Sequence, residues 1–285
     1  MRGPRWIALL LVCASVRASA QAVRPDEAWA AAAASALSLH PAVSPQRPAR
    51  ASSDETLHAA LIARLRRNPV AAQFAVPVLE EKDGVSIVAR SEAEDASLKG
   101  AWATYKRDKR ILVLNLDAIA SDLGPSAGAD ALAERYLPVF VHELGGHARH
   151  YEELAKILGQ PAPNARETEI NALRLEAMAT AAERKTNPDY LRDDKEYAKT
   201  ESSLVDKYWE SKERRDPGFF ADYVAAIPGY KKIAPAAAGP VADYYRGDEK
   251  SILEADRRLV GDEPPDDEAG LARRDRPAGF GSPRR

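Results

Sequence analysis

The spacing of apolar residues changes along the chain, and the changes divide it into segments. The first apolar run, Trp6-Ile7-Ala8-Leu9-Leu10-Leu11-Val12, has no period, and the Ala-rich stretch from Asp26 to Leu39 has helical potential. His40 to Ser53 is rich in Pro, Ser and Arg and reads as a linker. Leu57, Leu61 and Leu65 then recur at spacing four, which predicts a helix through Arg67 with Asp54 as a plausible N-cap. Gly84 to Arg90 reads as a strand. Gly100 to Tyr105 and Ile111 to Leu116 read as two more, and the polar Lys106 to Arg110 between them predicts a hairpin. From Ala131 onward the period is helical almost to the end. Gly261 to Arg285 is charged, rich in Pro and Gly and nearly free of apolar residues, the composition of a disordered tail. The expectation is a linker over 21–53, one domain over 54–260 and a tail over 261–285. The domain class is α+β: a small sheet with a hairpin, followed by a mostly helical part.

The N-terminal run decides the compartment. Arg2 and Arg5 precede it and Ala18-Ser19-Ala20 closes it, so residues 1–20 have the form of a secretory signal peptide. The run is far shorter than the roughly 20 residues of a spanning helix, and no later segment is long and apolar enough to span a bilayer. An exported protein, periplasmic or extracellular, is expected. The only cysteine, Cys13, lies inside the signal, and the bulky Val12 before it argues against lipid attachment. A mature chain would then hold no disulfide and no cysteine-built metal site. A net charge of −2 argues against nucleic acid as a partner, because binding phosphate calls for a basic surface.

Candidate chemistry is concentrated in Val139-Phe140-Val141-His142-Glu143-Leu144-Gly145-Gly146-His147-Ala148-Arg149-His150. Zinc peptidases commonly carry H-E-x-x-H on a helix, with both histidines facing one metal and the glutamate acting as general base. Here the second histidine stands at i+5. At about 100° per residue, i and i+4 lie about 40° apart around a helix, but i and i+5 lie about 140° apart. One residue looped out as a π-bulge restores a shared face, and such bulges favour functional sites. Gly145-Gly146 is where backbone distortion is cheapest, and two helical glycines otherwise cost roughly 1 kcal/mol each relative to alanine. The segment reads as a lengthened zinc motif, with His142 and His147 as ligands and Glu143 as base.

His142-Glu143-Leu144-Gly145-Gly146-His147 resembles the H-E-x-x-G-H motif of the dipeptidyl peptidase III family, a gluzincin group. The likeness covers this hexapeptide and one downstream glutamate, and the chain is much shorter than that family's enzymes. It implies a zinc ion bound by the two histidines and by a glutamate from the next helix, with the motif glutamate activating water. Two glutamates in Glu167 to Ala179 fit the E-x-x-A pattern, in which the alanine lets helices approach closely: Glu169 with Ala172 and Glu176 with Ala179. Glu169 matches the family's second motif better. The family's acidic residue four places after that ligand is Leu173 here, so a carboxylate that orients a ligand histidine is missing or displaced. Glu176 has a geometric claim: if the first helix ends at Leu158, His147 lies about 16 Å from its end, a depth that Glu176 matches in a tight antiparallel hairpin. Both glutamates stay candidates for the third ligand, and His150 is a secondary one.

Three further expectations complete the reading. The hairpin strand is placed to hold a peptide or protein substrate by main-chain hydrogen bonds, as edge strands do. An oxyanion-stabilising group is expected near the metal, with Tyr190, Tyr197, Tyr208 and Tyr223 all available. The expected activity is metal-assisted hydrolysis of peptides in a zincin-like domain. Its rivals are an Fe(II) enzyme, since two histidines and a carboxylate also suit that ion, and a non-catalytic exported binding protein that keeps the helix pair for structure.

Overall fold

The computed structural model describes residues 49–81, 84–124, 127–191 and 196–262, with backbone alone described over 49–56 and 196–202. The signal peptide over 1–20, the linker up to residue 48 and the tail from residue 263 lie outside the described residues.

The spacing-four leucines do lie on a helix, α1 (Ala49–Arg67), whose Leu61 and Leu65 are fully buried. It begins five residues ahead of Asp54, so Asp54 sits inside the helix rather than capping it, and the linker expected up to Ser53 already includes its first turn. Two short helices follow that periodicity did not reveal, α2 (Pro69–Phe74) and α3 (Val76–Glu80). Each carries proline in its first turn, where the missing N–H costs nothing. Asn68 caps α2: its Oδ1 accepts from the amides of Val70 and Ala71, and its Nδ2 donates to the Ala179 carbonyl and to Glu183 Oε1.

The sheet is built from β1 (Ser86–Arg90), β3 (Ala103–Lys106) and β4 (Ile111–Asn115), while β2 (Glu92–Ala93) stands outside its ladder. The order is β1-β4-β3, with β1 parallel and β3 antiparallel to β4. The expected hairpin is therefore present, and its β3 is an edge strand. Central β4 is the most apolar strand, with Leu112, Val113 and Leu114 buried. Asn115 ends it and starts α4 (Leu116–Leu123), accepting from the Ala118 amide while its Nδ2 donates to the carbonyls of Leu98 and Ala101.

The rest of the described chain is helical, which makes the protein mostly helical with a small three-stranded sheet, an α+β architecture. After α5 (Ala129–Arg135) comes one long continuous rod: α6 (Leu137–Phe140), a π-helical segment (Val141–Ala148) and α7 (Arg149–Leu158). Gly159, at φ 64°, closes the rod in the left-handed conformation that ends many helices. Next come α8 (Arg166–Arg184), α9 (Glu196–Arg214), α10 (Pro217–Ala226) and α11 (Pro240–Leu259). Helix α8 is the centre of the fold, buried on nearly every side from Thr168 to Ala181. It packs along the π segment and also meets α2, α6, α9, α10 and α11. A helix so placed is expected to be apolar all round, yet α8 buries Glu169, Asn171, Arg174 and Glu176. Buried charges of this kind are costly unless they are paired or hold a metal.

Candidate metal centre

The π segment is what brings the motif histidines together. In a π-helix the hydrogen bond spans i to i+5, so His147 lies one turn beyond His142 on the same face. Their Nε2 atoms are 3.1 Å apart, a separation that the 140° divergence of a regular helix forbids. All eight residues of the segment are buried.

The two glycines serve packing as well as backbone freedom. A β-carbon on Gly146 would lie 2.3 Å from the Ala172 β-carbon and 2.7 Å from its α-carbon, so the rod and α8 touch there with no room for a methyl group. The contact is less severe at Gly145, where a β-carbon would meet Phe74 at 3.2 Å. The close approach carries Glu169, one turn before Ala172, up to the histidines. Glu169 Oε2 is 3.6 Å from His147 Nε2 and 4.0 Å from His142 Nε2. Zinc–ligand bonds of about 2.0–2.1 Å in a tetrahedron place neighbouring ligand atoms roughly 3.3–3.5 Å apart, and the three observed separations bracket that spacing. Two imidazole nitrogens and one carboxylate oxygen, each on a residue no more than 8% exposed, form a donor set suited to zinc that leaves a fourth position open.

Glu176 does not join this set. Its Oε2 lies 2.8 Å from His142 Nδ1, the ring nitrogen opposite the ligand atom. A carboxylate in that position favours the tautomer in which Nδ1 donates to Glu176 and Nε2 keeps its lone pair. The orienting carboxylate expected four places after Glu169 is thus displaced to seven places after it, two turns along the same face. Depth alone misled for Glu176 because the hairpin is not tight. The connection over 159–165 folds back along α7, where Ala162 and Ala165 pack on Leu154 and Asn164 accepts from the Tyr151 hydroxyl, before α8 begins.

Glu143 is held separately. Its Oε2 accepts from the Tyr105 amide at 3.0 Å. The Asn115 amide bonds the Trp102 carbonyl, so the alternating antiparallel pattern turns the amide and carbonyl of Tyr105 away from β4, toward the free edge. Edge strand β3 therefore clamps one oxygen of Glu143, and among the described residues Oε1 accepts no hydrogen bond. Tyr105 itself anchors β3: its hydroxyl donates to Glu152 on α7, and burial followed by that carboxylate pushes its phenol above the ordinary value. The Tyr151 ring is nearly parallel to that of His147, with centroids 6.1 Å apart, and nearly parallel to that of Tyr105 at 6.2 Å.

The other sequence candidates go elsewhere. His150 points to α11, its Nε2 2.6 Å from Asp248 Oδ2. The Tyr190 hydroxyl donates to the Glu134 carbonyl, Tyr208 bonds Asp256, and Tyr223 packs against the core. The side chain of Tyr197 is not among those described. Sequence reasoning overlooked Tyr151, although its i+4 spacing from His147 was a readable signal, and it overlooked the Tyr105 amide and Asp248, for which there was none. Compared with known proteins, the chain matches no protein-family model, no curated protein and no solved structure.

Two predictions test the geometry. Replacing His142, His147 or Glu169 by Ala should abolish stoichiometric zinc binding. Glu176→Gln should still fill at saturating zinc but bind it about 10- to 100-fold more weakly. Full zinc in Glu169→Ala, measured by atomic emission after gel filtration, would contradict this ligand set. Gly146→Ala should push α8 off the rod, lowering stability by about 1–3 kcal/mol and releasing zinc. A Gly146→Ala protein with the parent's melting temperature and zinc content would refute the close contact.

Proposed function

We propose that the protein is an exported zinc-dependent hydrolase of gluzincin type that cleaves peptides, in a zincin-like domain. The observation that carries this reading is the placement of Glu143 on the same π turn as two converging histidines, with its carboxylate clamped by an edge-strand amide. Zinc held by His142, His147 and Glu169 would lower the pKa of a bound water and polarise a carbonyl. Glu143 then takes the proton of the attacking water and passes it to the leaving amine, a role for which Oε1 is available. Holding Oε2 on the Tyr105 amide keeps the base from swinging away between those transfers.

Peptides are favoured as substrates by the same strand. An extended chain laid along the outer edge of β3 can pair with the outward-facing main-chain groups that Glu143 leaves open. Export rests on the first twenty residues. Two histidines and a carboxylate also suit Fe(II), but a buried glutamate directly after the first ligand has a use in hydrolysis and none in that chemistry. A structural protein would use Glu143 only to satisfy the buried Tyr105 amide, whereas hydrolysis also uses its second oxygen, next to the candidate ligands.

Glu143→Gln retains the amide contact to Tyr105 but cannot take a proton. It should keep one zinc per chain while peptide turnover falls by about 10²- to 10⁴-fold. The assay is cleavage of a quenched fluorescent peptide library by zinc-loaded parent and variant. Equal rates, or no cleavage by the zinc-loaded parent, would overturn the proposal.

A further inference from the structure

Just past His147 lies a second buried polar cluster that takes no part in the chemistry proposed above. It begins where the π segment returns to α geometry. The Arg149 amide bonds the carbonyls of Gly146 and Leu144 and passes over that of Gly145, its acceptor in a regular helix. Buried carbonyls need partners. The Gly145 carbonyl finds one in the side chain of Arg149, whose Nε donates to it at 2.7 Å. The same guanidinium donates through Nη1 to Asp248 Oδ1 at 2.6 Å. Asp248 Oδ2 receives His150 Nε2 at 2.6 Å and Asn171 Nδ2 at 2.8 Å. One carboxylate on α11, with 3% of its side chain exposed, thus gathers three donors from the two helices that carry the ligands.

The positions of those donors matter more than their number. Arg149 stands two residues after His147 and holds the carbonyl two residues before it. Asn171 stands two residues after Glu169 and directly before Ala172, the residue that touches Gly146. Every bond made by Asp248 therefore lands within three residues of a ligand. We propose that Asp248 is a positioning residue of the metal centre. It clamps the π turn to α8, so that His147 and Glu169 meet at one ion. The proposal rests on the metal-hydrolase reading and adds to it a determinant about a hundred residues away in sequence. Burial disfavours the charge of Asp248, but the hydrogen bond from His150 and the adjacent guanidinium outweigh it and hold the group well below the usual carboxylate range. Burial in turn lowers His150, which fits a neutral ring donating through Nε2.

The test compares full-length variants by zinc affinity, measured in competition with a chelator, by the visible spectrum of the cobalt-substituted protein and by the melting temperature of the metal-free form. Asp248→Asn keeps the shape but cannot hold three donors. It should fold, bind zinc about 10- to 100-fold more weakly and give a cobalt spectrum of altered intensity. Arg149→Met should do the same, and the double variant should be no worse than either single one; should Asp248→Asn fail to fold, Arg149→Met carries the test. Asp256→Asn removes another buried carboxylate of α11, one bonded to Tyr208 and Lys212 instead. It should lower the melting temperature while leaving zinc affinity and the cobalt spectrum unchanged. Parent-like affinity and spectrum in Asp248→Asn, or an equal loss of zinc in Asp256→Asn, would overturn the clamp. A parent protein that takes up neither zinc nor cobalt would overturn the metal reading itself, and the clamp with it.

Discussion

Gly146 rests directly on Ala172, and a single methyl group added there would collide with the neighbouring helix at 2.3 Å. Almost everything at the candidate site follows from that contact. Two helices this close cannot carry large side chains where they cross, so the polar groups on either side of the crossing are driven together. His147 follows Gly146 and Glu169 precedes Ala172 by one turn, and their candidate ligand atoms converge at 3.6 Å. The antiparallel run sets Glu176 against His142 on the far side of the crossing. The crossing point thus fixes which glutamate faces the two Nε2 atoms and which one bonds the His142 ring from behind.

The second constraint is the extra residue in the π segment. It puts His142 and His147 on one face, but it also takes the Gly145 carbonyl out of the regular hydrogen-bond pattern. A distortion buried this deeply persists only if the surrounding structure determines it. Here β3 holds Glu143 from one side and Arg149, braced by Asp248, holds the Gly145 carbonyl from another. Helix α8 buries four polar or charged residues between Glu169 and Glu176; Glu169, Asn171 and Glu176 bear on the crossing or on its supports, while Arg174 turns to Glu249 and the Pro217 carbonyl. That much polar surface inside a core helix fits the proposed metal centre and is more than packing alone calls for.

The parts of this arrangement that were readable in the sequence were local. The hairpin, the spacing-four helix and the π distortion each follow from periods or from glycine placement within a few residues. The His142–His147 pair was readable for the same reason. What escaped depends on contacts between segments distant in sequence. The choice between Glu169 and Glu176 turns on how the 159–165 connection folds back, which hydrophobic period does not encode. Asp248 sits on a helix whose pattern marks only an amphipathic face, and the amide of Tyr105 has no side-chain signature at all. The start of α1 was misplaced because Asp54 looks like a cap whether or not the helix extends beyond it. The helices α2 and α3 were missed because each is too short to display a period.

The site proposed for the metal ion is the point where the π turn crosses α8. Diffraction from zinc-loaded crystals, recorded at the zinc absorption edge, tests it most directly. An ion bound as proposed gives one anomalous peak about 2.0–2.2 Å from His142 Nε2, His147 Nε2 and a Glu169 oxygen, with Glu176 still on His142 Nδ1 and no contact to His150. A peak elsewhere, a shell that recruits His150 or Glu176, or a regular α-helix through residues 141–148 with His147 turned away would contradict it.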